Sequence, residues 1–148
     1  MTAAEASSLA GATYGAGREE TFSGSGKGCV YGYQTLNVFT VEVAQSSSAA
    51  TAQADFSQEQ ARAQEALKKL GPSGVSLHLS AGPVPNLGDR AARVTGSATL
   101  NGQTLGVSGI YVLKGTIFFA FQDVQLGSNA PSAAAMEAEA RTVLSRLP

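Results

Sequence analysis

The stretch "TFSGSGKGCVYGY", Thr21 to Tyr33, gathers the only cysteine, a lysine set between glycines and two tyrosines. Each invites a chemistry. A phosphate loop of the form Gly-x-x-x-x-Gly-Lys-Ser/Thr needs backbone amides and a helix dipole converging on phosphate. Here Thr21 stands where the first glycine should be, Gly28 stands where the Ser or Thr should be, and strand-like residues follow. Nucleotide binding is not expected. A thiol nucleophile at Cys29 needs a depressed pKa and a base. His78 is the sole histidine and lies in a separate segment. Cys29 therefore reads as a small hydrophobe at a strand start.

His78 alternates with Leu77 and Leu79 in "GVSLHLS", which turns it toward the polar face of a strand. One His and one Cys are too few ligands for zinc. The acidic pairs Glu19-Glu20 and Glu137/Glu139 read as solvated charges, and a Gly-x-Ser-x-Gly nucleophile elbow is absent. No catalytic residue, cofactor or metal is expected. The competing enzyme reading is a small hydrolase or ligand-modifying enzyme around His78, with Asp89 and a serine as partners that converge only in space. Tyr31, Tyr33 and Tyr111 combine an apolar body with a polar tip and form the expected binding surface, with core or sheet-edge packing as the plainer role.

Elements must position these groups, and composition bounds the elements. The chain has 148 residues, 43% hydrophobic and 14% charged, enough for one core and one domain, 1–148. A net charge of -1 gives no field for nucleic acid or an anionic membrane. Uncharged polar residues fill the surface, as in extracytoplasmic proteins. No apolar run reaches the length that crosses a bilayer, and "MTAAEASSLAGA" has neither the basic region nor the apolar core of an export signal. Thr2 and Glu5 form a capping box at once, which suggests a trimmed form.

The pattern predicts a helix over 3–10 closed by Gly11, then an irregular lead-in. A strand follows at "TLNVFTVEVA", then a polar loop "QSSSAATAQADF" and a helix over 58–70 ended by Gly71 and Pro72. Ala63, Leu67 and Leu70 mark that helix's inner stripe. "GVSLHLS" is a strand and "AGPVPNLGD" a loop. Three antiparallel strands are joined by tight turns at Asn101-Gly102 and Lys114-Gly115, before a final helix over 132–146. "SGSGKG" is read as a flexible turn. A shift of about 80 residues lays Tyr31 on Tyr111 and Phe39 on Phe119, an echo of hairpin, loop and helix between 29–70 and 110–147 that suggests duplication or shared alternation. The fold class is α+β: one antiparallel sheet of five to seven strands, packed on one face by the two main helices.

"LAGATYG", "GCVYGY", "VPNLGDRA" and "IYVLKGTIFFAF", ahead of an Ala-rich terminal helix, resemble the small secreted lipoprotein domains of Gram-positive, especially actinobacterial, cell envelopes grouped as the domain of unknown function 3558 family. The matching features are the helix start Thr2–Glu5, Cys29 followed by Tyr31, the loop from Asn86 to Asp89 with Ala91, and the hairpin Ile110 to Thr116. The resemblance implies a non-catalytic extracytoplasmic binding or accessory domain acting on an unknown protein or a small envelope ligand. Family members commonly carry a second Cys before the first helix, so Cys29 would be half of a disulfide in a native precursor. Membrane attachment would come only through a removed lipid anchor. Without a trimmed signal segment the expected location is the cytoplasm.

Overall fold

Thr2 starts the first helix, α1 (Ala3–Ala10): its hydroxyl accepts the Glu5 amide at 3.2 Å while the Glu5 carboxylate accepts the Thr2 amide at 2.7 Å. These bonds, the Thr2 amide foremost, hold the Glu5 carboxyl below the usual range. Gly11 closes the helix at φ 65°, as the glycine there predicts. The structure is a computed structural model describing residues 1–22, 26–70, 75–100, 102–127 and 129–147, with only the backbone described for residues 59–60, 62–70, 75, 77 and 100. The turn at "SGSGKG" falls largely on 23–25 and the helix stop on 71–74. Both lie outside the described residues, as do the side chains of Ala63, Leu67 and Leu70.

Seven strands follow with one long helix between them: β1 (Arg18–Thr21), β2 (Lys27–Tyr31), β3 (Val38–Gln45), α2 (Ala49–Leu70), β4 (Val75–Pro83), β5 (Arg90–Leu100), β6 (Gln103–Lys114) and β7 (Ile117–Leu126). A last helix, α3 (Ala133–Leu144), starts on Ser132, whose hydroxyl accepts the Ala135 amide. All strand pairs are antiparallel, in the order β1-β2-β3-β7-β6-β5-β4. The chain is therefore α+β with one seven-stranded antiparallel sheet.

Helices cover both faces of that sheet, which corrects the expected one-sided packing. On one face, α1 and α3 bring Ala6, Ala10, Met136 and Ala140 onto Tyr31, Phe39, Val41, Ile110, Val112, Phe119 and Phe121. On the other, α2 lays Ala52 and Phe56 against Ala92, Leu113, Phe118 and Ala120. The cause is topological. The chain leaves β3 inside the sheet and must reach β4 at its far edge, so α2 has to cross a face. Alanines at 44, 92 and 120 leave room for Phe56, which meets Phe118 edge-on at 6.2 Å.

Two boundaries also differ from expectation. α2 begins at Ala49 rather than Gln58, because Ser48 caps it: its hydroxyl accepts the Thr51 amide at 3.1 Å and its carbonyl the Ala52 amide at 2.9 Å. The alanine-rich run "AATAQADF" then continues as helix, in keeping with its propensity. β4 runs on through Ala81, Gly82 and Pro83, residues read as loop. It is an edge strand, where the missing amide of Pro83 costs no ladder bond. The echoing segments do form similar hairpins, β2-β3 and β6-β7, each followed by a helix. Their tyrosines nonetheless face opposite sides of the sheet: Tyr31 packs under α1 and Tyr111 beside α2.

Candidate functional site

Side chains alternate along a strand, so the pairing register fixes which residues share a face. Tyr111 pairs with Ala92, Ala92 with Pro83, and Val94 with Ala81, and Ala92 packs on the α2 side. Ala81, Pro83, Ala92, Val94 and Tyr111 thus form one floor. Phe56 of α2 is its wall, and together with the β4-β5 loop they enclose a cleft of about 580 Å³.

The loop is held in place by backbone and side-chain bonds. The Val84 amide donates to the Ala91 carbonyl at 3.0 Å and the Asp89 amide to the Leu113 carbonyl at 2.8 Å. The Asp89 carboxylate accepts the Gly115 amide at 2.6 Å and Lys114 Nζ at 3.0 Å. These two donors, the amide foremost, pull the Asp89 carboxyl below the usual range. Arg141 of α3 donates to the Asn86 carbonyl at 2.9 Å, and Leu87 is buried. Gly88 has φ 62°, and a Cβ there would sit 2.5 Å from the Leu113 carbonyl oxygen and 2.9 Å from Val112 Cγ1. Gly88→Ala is therefore expected to destabilise the protein by about 1–3 kcal/mol, read as a lowered midpoint in urea unfolding.

Arg90 lies at the rim of this cleft. Its guanidinium carbon sits 4.8 Å above the Phe56 ring, and Nη1 donates to Ser57 Oγ at 2.9 Å. The other guanidinium N–H groups have no protein partner among the described residues. A planar donor fork stacked on an aromatic ring beside an apolar floor suits a carboxylate carried on an apolar body. Sequence reading missed Arg90 and Phe56. No motif marks them, because they meet only through the crossing of α2 over β5.

The structure separates the three candidate tyrosines. Tyr31 is buried, its hydroxyl donates to the Met1 carbonyl, and burial pushes its pKa up. Tyr33 is 45% exposed with Arg18 stacked 4.8 Å above its ring. Gly32, at φ 70°, ends the strand between them and breaks the alternation. Tyr111 alone lines the cleft. They form no common surface.

Cys29 is a free, half-buried thiol on β2, packed against the same core as Met1, Ala3 and Leu9. A thiol reagent should label it slowly in the native protein and rapidly in denaturant; equal rates would place it in open solvent. His78 is exposed on β4, with Nε2 3.3 Å from Ser76 Oγ. Asp89 is engaged with Lys114 and Gly115, beyond the end of β4, which itself lies roughly 17 Å along the strand from His78. The fold does not bring the two together. Among the described residues no group of three His, Cys, Asp or Glu could hold a metal ion, and no helix is long and apolar enough to cross a membrane. Neither a family model, nor a curated protein, nor a solved structure matches the chain.

Proposed function

We propose that this chain is a non-catalytic binding or accessory domain of the cell envelope, as its resemblance to secreted lipoprotein domains implies, and that it holds a small apolar carboxylate in the cleft between α2 and β4–β6. The observation carrying this reading is Arg90, stacked on Phe56 and steadied by Ser57 at the rim of an apolar floor. Such a fork is pre-organised, so little side-chain entropy is lost when an acid binds. The cleft volume falls within the range of small-molecule sites.

A second reading, a small hydrolase or ligand-modifying enzyme around His78, draws on the Ser76–His78 contact. An activated serine also needs a group that orients the imidazole. No described carboxylate bonds His78, and the pair is open to water. Titration calorimetry with octanoate and with octanol separates the readings. Octanoate binding that is much tighter than octanol binding, with no turnover of a nitrophenyl ester, supports the binding domain. Ester turnover abolished by Ser76→Ala supports the enzyme.

A further inference from the structure

The inner face under α1 is apolar except at one place. Asp123 of β7 is 0% exposed and Ser108 of β6, its directly paired neighbour, is 2% exposed. Around them, the Tyr14 hydroxyl donates to Asp123 Oδ1 at 3.2 Å, and Gln125 Nε2 donates to the same oxygen at 3.3 Å and to the Ala10 carbonyl at 2.7 Å. Two atoms in this cluster are buried with no hydrogen-bond partner: Asp123 Oδ2 and Ser108 Oγ. They belong to residues facing each other across one strand pair.

Among the described residues no cation offsets a charge there. The cover consists of Ala6 and Ala10 of α1 and Tyr14, with Met136 and Ala140 of α3 beside them; β3 contributes Phe39 and β2 contributes Tyr31. Tyr14 is the titratable group in contact and Tyr31 stands one ring further out. Glu5 of α1 pairs with Arg146 beyond α3, Glu137 of α3 pairs with Arg93 of β5, and Arg141 of α3 donates to the Asn86 carbonyl, none of them bonding Asp123. The Ala10 carbonyl, at the C-terminal end of α1, presents partial negative charge to the site. A neutral carboxylic acid suits this setting better than a carboxylate. On Oδ2, which no donor reaches, the extra proton removes a charge that the dry site does not solvate.

We infer that Asp123 is a buried proton-binding group on β7 that keeps the cover of α1 and Tyr14 closed in acid and loosens it as the pH rises. Ionisation places a charge in a dry site, and water can solvate it only by displacing the cover. Burial pushes the Asp123 carboxyl from an ordinary 3.8 up to about 6, against the opposing pull of Gln125 and Tyr14. Since the folded value is raised, the stabilisation is complete below the unfolded value and is lost as pH rises through about 6. Glu5 and Asp89, whose values are lowered, act in the opposite sense, so the contribution of Asp123 must be read as a difference between variants.

Asp123→Asn keeps the shape without a charge and removes the titration. Relative to that variant, the folding equilibrium constant of the wild type should rise by about 30-fold between about pH 7.5 and about pH 4.5. Amide exchange, corrected for its intrinsic pH dependence, should show that residues 3–14 gain this protection while Asp123→Asn is protected at both pH values. Parallel pH profiles for the two proteins, or protection of residues 3–14 in the wild type that does not change with pH, would overturn the inference. The carboxyl carbon resonance of Asp123 in the wild type gives an answer that needs no variant. A titration midpoint near 6 is expected, and one at or below about 4 contradicts it.

Discussion

Phe121→Ala is expected to lower the unfolding free energy by about 3–5 kcal/mol. Phe121 is 1% exposed and sits where β7 meets both β3 and β6, opposite Val41 and Ile110. Its ring stacks on Phe39 at 6.4 Å and lies 5.6 Å from Phe119. Phe39 in turn meets Tyr14 and Tyr31, so the aromatic series reaches from the centre of the sheet to the segment after α1. Truncation removes the middle of this series. The cavity forms between helix-covered strands that pair on both sides, which limits collapse. Urea unfolding followed by far-ultraviolet circular dichroism measures the loss. A cost under about 1 kcal/mol would mean that this face is loosely packed.

Arg90→Gln is expected to weaken octanoate binding by about 10- to 100-fold, the loss of a charge-assisted hydrogen bond, while leaving octanol binding and the unfolding midpoint nearly unchanged. The stability effect should be small because the guanidinium is exposed and its contacts with Ser57 and the Phe56 ring are made at the surface. Phe56→Ala should act differently. It removes the wall of the cleft and a buried side chain together, so octanoate, octanol and folding all lose. Calorimetric titration of both variants with both ligands separates charge recognition from cleft formation. Equal weakening of octanoate and octanol by Arg90→Gln would remove the acid-binding role.

Much of the architecture was legible because it rests on local rules. Thr2 and Glu5 announce α1, Gly115 announces the β6-β7 turn, and the face of Met136, Ala140, Val143, Leu144 and Leu147 announces the packing of α3. The second helical layer was also signalled. "IFFAF" lacks the polar alternation of a strand with a wet face, and Phe118 and Phe119 indeed face opposite helices. Asp123 follows Phe119 and Phe121 in phase, a carboxylate in step with the core, so its burial was readable from β7 alone. The cleft was not. Phe56, Arg90 and Tyr111 come from three elements far apart in the chain, joined by the crossing of α2 and the strand register, and neither is written in any short stretch.

Backbone amide resonances followed during octanoate titration test the binding site most directly. Saturable shifts concentrated at Phe56, Ser57, Arg90, Ala92, Val94 and Tyr111, greatly weakened by Arg90→Gln, are the expected result. Shifts centred on Ser76 and His78 of β4, or small shifts scattered over the whole surface with no saturation, would contradict the assignment of the cleft.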